Sequence, residues 1–231
     1  MLAQRIVTPE LLDHLAPGDP RAVRSRRDLR RVNAIMRNAR IVAEALGDGT
    51  PPGSIVELGA GDGAWLVQLA RALPAHWSDV RAVLLDRQDT VSGSTLAALT
   101  GRGWRPEAVT ADALDWLAQR DAAADVVVAN LFLHHFAPDA LRELLGAIAS
   151  RTQIFAACEP RRSPTALCAS RMLGVIGCSA VTRHDAVVSV RAGFSGRELS
   201  ALWPDRESWE LKEHERGWFS HLFVARRRAP T

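Results

Sequence analysis

Apolar residues in the first fifty positions recur at the spacing of an amphipathic helix. They fall every three or four residues between Leu29 and Leu46, and arginines together with Asn33 occupy positions between them. This pattern predicts one helix with an apolar stripe, which ends at Gly47 and the Thr-Pro-Pro-Gly run that follows. A shorter helix is predicted around Pro9–Leu15.

From residue 54 onward, short apolar runs alternate with helical stretches, which indicates βαβ units and a parallel sheet. The runs are continuous, as expected of central strands that are covered on both faces. The predicted strands are Ser54–Leu58, Arg81–Asp86, Glu107–Ala111, Asp125–Phe132 and Gln153–Glu159. The predicted helices are Ala64–Leu73, Leu96–Leu99, Ala113–Arg120, Pro138–Ser150 and Pro164–Leu173.

The last part of the sequence predicts an antiparallel hairpin, in which Trp209–His214 and Trp218–Arg226 are joined at Gly217. With the five preceding strands, this predicts an α/β fold with a Rossmann-like, doubly wound, seven-stranded sheet that is mostly parallel. The change of pattern divides the chain into an N-terminal helical cap, residues 1–52, and a second domain, residues 53–231.

Composition narrows the class of protein. Of 231 residues, 47% are hydrophobic and 24% are charged, which is typical of a globular protein. The net charge is only +3 and the basic residues are spread along the chain, so no nucleic-acid partner is expected. Three cysteines without CxxC spacing indicate neither a disulfide framework nor a metal site. No apolar run suits a secretory signal or a membrane span, so we expect a cytoplasmic protein without a membrane partner.

A glycine-rich loop follows the first predicted strand and precedes a helix. The segment Ile55–Gly63 reads Ile-Val-Glu-Leu-Gly-Ala-Gly-Asp-Gly, and its small residues let the backbone approach a ligand at the carboxyl end of the strand. Gly59, Gly61 and Ala64 also satisfy a relaxed dinucleotide fingerprint. An NAD-dependent oxidoreductase is therefore one alternative.

The charges beside this loop favour a different ligand. Glu57 precedes the loop and Asp62 lies within it, so two negative charges would face a pyrophosphate. S-adenosylmethionine (SAM) carries no phosphate, and carboxylates attract its cationic sulfonium and amino groups. The segment Val56–Gly63 also resembles the first motif of the class I SAM-dependent methyltransferases, V-hydrophobic-D/E-L-G-x-G-x-G. The resemblance covers about residues 53–226.

That resemblance implies a SAM site assembled from segments that follow strand ends. Asp86, after the second strand, would hold the ribose hydroxyls, and Asp112-Ala113 would contact the adenine ring. Asp86 as a loop-capping acid and Asp112 as a helix N-cap remain alternatives. The cofactor-binding residues predicted in this way are Glu57, Gly59, Ala60, Gly61, Asp62, Gly63, Asp86, Arg87, Asp112, Ala113, Asn130 and Leu131.

The N-terminal helix is expected to lie over the cofactor. Asn33, Met36 and Arg37 would be nearest to SAM, and Arg37 would pair with its carboxylate. The alternative is a helix that only covers the sheet.

Three histidines are candidates for a base that deprotonates the methyl acceptor. His134 and His135 follow the fourth strand, and His184 precedes Asp185 between the fifth strand and the hairpin. Histidine titrates near neutral pH and is the commonest general base. The alternatives are packing or cofactor-shell histidines and, for His184, a surface turn.

The fourth motif, Asn130-Leu131-Phe132-Leu133, lacks the Asn-Pro-Pro-Tyr type of sequence, which disfavours amino methylation of DNA bases or protein glutamine. The resemblance implies a small organic acceptor and O-methylation of a phenolic or polyketide-like metabolite of secondary metabolism. C-methylation of a quinone-like metabolite and a non-catalytic SAM-binding regulator are further alternatives. A monomer or homodimer is expected.

Overall fold

The computed structural model describes residues 4–119 and 123–229. Seven strands in these residues form a single sheet with the order β3-β2-β1-β4-β5-β7-β6, as the sequence predicts. The strands are β1 (Ser54–Leu58), β2 (Arg81–Asp86), β3 (Arg105–Thr110), β4 (Ala124–Asn130), β5 (Thr152–Pro160), β6 (Trp209–Arg216) and β7 (Ser220–Arg227).

Helices cover both faces of the sheet. In the described residues they are α1 (Pro20–Met36), α2 (Asn38–Leu46), α3 (Ala64–Ala72), α4 (Gly93–Thr100), α5 (Ala113–Ala118), α6 (Pro138–Arg151), α7 (Pro164–Arg171), α8 (Ala180–Ala192) and α9 (Glu198–Leu202). Short 3₁₀ turns lie at Leu12–His14, Leu133–His135 and Arg206–Ser208.

The strand order creates one reversal of direction, between β1 and β4. From β1 the sheet extends one way through β2 and β3 and the other way through β4 and β5, and all these pairs are parallel. The strand β7 then pairs antiparallel with β5, with Cys158 opposite Leu222, and β6 forms the outer edge. In open α/β sheets, ligands bind outside the carboxyl ends of the strands at such a reversal.

Alternate residues of the strands fill a core on each face. Ile55 of β1 packs in one cluster with residues of α2 and α3, whereas Val56 and Leu58 pack in the other with residues of α5 and α6. Burying each such aliphatic side chain contributes about 1.5–3 kcal/mol to folding. The helix α2 therefore shares one core with the sheet.

The prediction of one helix from Leu29 to Leu46 was wrong, because the structure has two helices with a break at Arg37. That residue has a φ of 58°, in the left-handed region. The break lets Asn38 be buried, where its side chain donates to Asn130 Oδ1 at 2.9 Å and accepts from Ser220 Oγ at 2.8 Å. The predicted helix around Pro9–Leu15 is only the 3₁₀ turn Leu12–His14.

Other helix and strand boundaries differ from the predicted ones because of local backbone conformation and capping. The predicted fourth strand ends early, at Asn130, because Leu131 has a φ of 52°. Ser92 caps α4 through the N–H of Thr95, so that helix starts before the predicted Leu96. The helix predicted to end at Arg120 is described to Ala118, and Arg120 lies outside the described residues. Helices α8 and α9 were not predicted.

We expect Phe155→Ala to destabilise the protein by about 3–5 kcal/mol, the range for removing a buried phenyl ring. Phe155 is fully buried, stacks on Trp203 at 5.6 Å between ring centroids and meets Phe223 edge-on at 6.0 Å. Urea unfolding measures the loss. The exposed Val175→Ala is the control and should change stability by less than about 0.5 kcal/mol. Equal effects of the two substitutions would contradict this description of the core.

Candidate functional site

The glycine loop is fixed to the end of the neighbouring strand β2. The N–H groups of Gly59 and Ala60 donate to the carbonyl of Leu85 at 2.9 and 3.0 Å, and the N–H of Gly61 donates to Asp86 Oδ2 at 2.8 Å. These bonds bring the end of β1, the loop and the end of β2 together at the reversal point of the sheet.

At two positions of the loop, the surrounding side chains leave no room for a residue larger than glycine. A Cβ at Gly59 would lie 2.3 Å from the ring of Phe132, and one at Gly63 would lie 2.4 Å from Leu84 Cδ2. Both residues also have positive φ, of 70° and 72°, which disfavours residues other than glycine. The loop thus packs directly on the side chains that follow β4 and line β2.

Glu57 lies beneath this loop as a buried carboxylate. Its Oε2 atom has no hydrogen-bond partner, and burial, followed by the charges of Asp62 and Asp86, raises its pKa well above the ordinary value. A positively charged group brought beside Glu57 would relieve both effects. The electrostatics of the site therefore favour a cationic ligand.

Asp86 already holds the backbone around it. Besides the Gly61 N–H, its Oδ1 accepts the N–H of Gln88 at 2.8 Å, so the loop-capping alternative is confirmed. A carboxylate has about four acceptor positions, and the half-buried Asp86 retains capacity for hydroxyl groups. Its role as ribose ligand stays a prediction, as does that of the adjacent, exposed Arg87.

Asp112 begins α5, where its side chain accepts the N–H of Leu114 at 2.8 Å. The N-cap alternative is therefore confirmed, and Ala113 is buried in the first turn. Contact of either residue with an adenine ring stays a prediction.

The helix α1 crosses the carboxyl ends of β1 and β4. Arg30 Nε lies 3.3 Å from Asp62 Oδ2, and Asn33 Oδ1 accepts from the side chain of Asn130 at 3.2 Å. Arg30 is a site residue that sequence reasoning missed, because it resembles every other arginine on the polar side of the helix.

The predicted residue Arg37 lines a surface cavity of about 510 Å³ between the α1–α2 break and the β6–β7 turn. Met36 lines it too, whereas none of the loop residues 59–63 does. The structure thus brings Asn33, but not Met36 or Arg37, into hydrogen-bonding contact with the end of β4.

The Leu133–His135 turn after β4 is built around a buried carboxylate. Glu159 accepts the N–H groups of Phe132 and Leu133 at 3.0 and 2.9 Å and that of His134 at 3.3 Å. Its Oε2 also lies 2.8 Å from His134 Nδ1. Glu159 is the last residue of the predicted strand Gln153–Glu159, and no local pattern in the sequence indicates that its side chain is buried.

His134 is buried between two carboxylates. Its Nε2 lies 3.3 Å from Glu10 Oε1, opposite the contact with Glu159. Burial lowers the pKa of His134, but the hydrogen bonds and charges of Glu10 and Glu159 outweigh it and raise the pKa to about 9. His134 therefore holds its proton at neutral pH, which favours the packing alternative over the role of base.

His135 and His184 are more accessible. The ring of His135 lies 4.3 Å from that of His134, and its Nδ1 is 3.5 Å from Asp13 Oδ2. His184 lies on α8 and contacts Asp185 Oδ1 at 2.9 Å, so the surface-turn alternative was wrong: Ser179 caps a helix here. The catalytic role of all three histidines stays a prediction.

Residues 55–153 match a family model described as a methyltransferase domain. An O-methyltransferase family protein from Burkholderia thailandensis has a TM-score of 0.64 at 21% identity, over 93% of this chain and 62% of that one. The plantazolicin methyltransferase in complex with S-adenosylhomocysteine has a TM-score of 0.65 at 13% identity, over 91% and 92% of the two chains. The mitomycin 7-O-methyltransferase has a TM-score of 0.59 at 20% identity, over 94% and 60%.

These structures share the fold of this chain, which spans less than two thirds of the first and third of them. No curated protein has a significantly similar sequence. Among residues 4–119 and 123–229, no helix combines the length and apolar composition that crossing a membrane requires.

We expect Glu57→Gln to stabilise the ligand-free protein by about 1–3 kcal/mol at pH 8, because a neutral amide costs less to bury without a partner than a charged carboxylate does. A folded-state pKa above the unfolded value makes Glu57 favour folding while it is protonated. That contribution is lost as the pH rises above about 4.5, so the advantage of the variant should grow with pH.

Thermal or urea unfolding from pH 5 to pH 8 tests this expectation. The exposed Glu143→Gln on α6 is the matched control and should show no such trend. A Glu57→Gln advantage that is independent of pH would contradict the assignment of a destabilising charge to Glu57.

Proposed function

We propose that the chain transfers the methyl group of SAM to a small organic acceptor, because residues 55–153 match a methyltransferase-domain model and the chain shares its fold with methyltransferases. The observation that carries the proposal is the buried, unpartnered carboxylate of Glu57 beneath the glycine loop, flanked by Asp62 and Asp86. An anionic crevice at the reversal point of the sheet suits a ligand with cationic groups.

The hydrogen bonds of the loop support SAM over a dinucleotide. A pyrophosphate needs free backbone N–H groups. Here the N–H groups of Gly59, Ala60, Gly61 and Gly63 all have backbone or side-chain partners, and that of Ala64 donates to Asp62. An NAD-dependent oxidoreductase would have to break these bonds, so it is the weaker candidate.

Residues of the loop and of α1 would hold the cofactor. Glu57 and Asp62 would face its cationic groups, and Asp86 its ribose hydroxyls. Arg30, which is paired with Asp62, is a second candidate beside the predicted Arg37 for its carboxylate. Gly61, Arg87, Asp112, Ala113, Asn130 and Leu131 complete the proposed set.

SAM supplies an already activated methyl group, so the protein has to orient the acceptor, exclude water and, where the acceptor is a hydroxyl, remove its proton. His135 and His184 are partly exposed, and each lies beside a carboxylate that can orient its ring. They are stronger candidates for the base than His134, which is fully buried and protonated at neutral pH.

For the acceptor we propose a phenolic or polyketide-like hydroxyl of secondary metabolism. The name of one similar structure, the mitomycin 7-O-methyltransferase, supports transfer of the methyl group to an oxygen atom. The apolar rings of Phe132 and Phe136, which meet edge-on at 5.0 Å beside the histidines, suit a planar acceptor. C-methylation of a quinone-like acceptor is the alternative, and product analysis separates the two.

A SAM-binding regulator without catalysis is the candidate from another class. It would bind SAM without forming S-adenosylhomocysteine when any member of a metabolite panel is supplied as acceptor.

We also propose that the protein is cytoplasmic, because Cys158, Cys168 and Cys178 are all unpaired, as in reducing compartments. For its oligomeric state we propose a monomer or homodimer.

We expect SAM to bind with a micromolar Kd, which corresponds to a binding free energy of about −7 to −8 kcal/mol. The substitution Asp86→Asn should weaken SAM binding by about 1.5–3 kcal/mol for each hydrogen bond lost to the charged oxygen. Asparagine keeps one acceptor oxygen for the backbone of the loop. Calorimetry measures both affinities. The exposed Asp89→Asn is the matched control and should bind normally, whereas tight NAD binding without SAM binding would overturn the proposal.

We expect one histidine substitution to lower turnover by about 10²–10⁴-fold and to remove a pH dependence near neutrality while SAM affinity is retained. The variants are His134→Gln, His135→Gln and His184→Gln. Each is assayed at saturating SAM after treatment with a chelator, so that no adventitious metal ion occupies an imidazole. The largest effect is expected for His135. Normal turnover of all three variants would mean that the acceptor ionises unaided or reacts at carbon.

A further inference from the structure

Three potential metal ligands meet where the N-terminal segment crosses the turn after β4. Suitable atoms of Glu10, His134 and His135 all lie within 4.8 Å of one another. Glu10 and His134 are 8% and 2% exposed, so the cluster is largely shielded from water. Its members come from positions 10 and 134–135, which is why the sequence predicts no metal site.

The hydrogen bonds around His134 direct its second ring nitrogen toward Glu10. Glu159 is deprotonated and accepts hydrogen bonds from three backbone N–H groups, so it also accepts the Nδ1–H of His134. The Nε2–H of the protonated ring then points at Glu10, and a bound metal ion would replace that proton. A carboxylate behind one imidazole nitrogen is the usual arrangement that orients a histidine toward a metal ion.

The spacing of the donor atoms fits a small transition-metal ion. Bonds of about 2.0–2.1 Å in a tetrahedral site separate neighbouring donor atoms by about 3.3–3.4 Å, and His134 Nε2 lies 3.3 Å from Glu10 Oε1. Two imidazoles with one carboxylate favour zinc and its neighbours over magnesium or calcium, which prefer oxygen ligands.

We propose that Glu10, His134 and His135 bind one divalent transition-metal ion, for which Zn²⁺ is the probe. Asp13, whose Oδ2 is 3.5 Å from His135 Nδ1, either orients that ring or supplies a fourth ligand. The proposal concerns only how these side chains bind an ion; while an ion is bound, His135 could not act as the base for methyl transfer, and that role would fall to His184.

Such an ion would fasten the N-terminal segment to the body of the protein. The segment already contacts α8, where Asp185 accepts the N–H groups of Leu11 and Leu12 at 2.8 and 3.0 Å. Ser189 also donates a hydrogen bond to Glu10. Metal binding would strengthen the existing link between Glu10 and the turn after β4, so it should raise the thermal stability of the whole chain.

The test uses the full chain, stripped with a chelator and returned to chelator-free buffer. We expect one Zn²⁺ per chain by competition with a chromophoric chelator, a higher Tm with Zn²⁺, and a visible absorption band with Co²⁺. Millimolar Mg²⁺ should not compete. Glu10→Gln and His135→Gln should each weaken Zn²⁺ binding at least tenfold.

The matched control is His184→Gln, which removes a histidine that also lies beside a carboxylate but is outside the cluster; its Zn²⁺ affinity should be unchanged. Circular dichroism checks that each variant folds. If Glu10→Gln does not fold, the Zn²⁺ affinity of His135→Gln, a substitution at a partly exposed position, is the test of the proposal. Absence of Zn²⁺ binding below about 100 µM, a Kd that is unusually weak for a built site, would overturn the proposal. Binding that both cluster variants leave unchanged would overturn it as well.

Discussion

The arrangement of the site depends on one buried carboxylate, Glu159. It accepts the backbone N–H groups of the turn after β4 and holds the imidazole of His134, so it fixes where the chain goes when it leaves the sheet. Phe132 is thereby positioned on Gly59, and Glu10 acquires a partner in His134. The glycine loop, the histidine turn and the N-terminal segment are all positioned relative to this side chain.

Glu57 and Glu159 show that the neighbours of a buried carboxyl group determine whether its pKa is raised or lowered. Both are among the most buried polar residues of the chain, and burial raises the pKa of each. At Glu159, the charge and hydrogen bond of His134 and the backbone N–H groups reverse the effect and lower its pKa. At Glu57, neighbouring acids add to burial. The charge of Glu159 is balanced within the protein, whereas Glu57 has no such partner among the described residues.

The sequence was sufficient for features that local patterns encode. Continuous apolar runs predicted the strands, and glycines with adjacent acids predicted the loop at the end of β1. Contacts between distant segments could not be predicted: Asn38 is buried against Ser220 across 182 positions, which requires the helix break at Arg37. Glu10 and His134 are 124 positions apart, and no periodicity links them. In the sequence, Arg30 resembles the other arginines of the N-terminal helix, and only its contact with Asp62 in the structure identifies it as a site residue.

The placement of β7 between β5 and β6 has a consequence for synthesis on the ribosome. The parallel part of the sheet is encoded by residues 54–160, but the strand that pairs with β5 is encoded by residues 220–227. Until that segment emerges, nine residues of β5 form an open edge rich in apolar side chains. Such an edge is prone to pair with other chains. The nascent chain should therefore be more prone to aggregation than the complete protein while about sixty further residues are added.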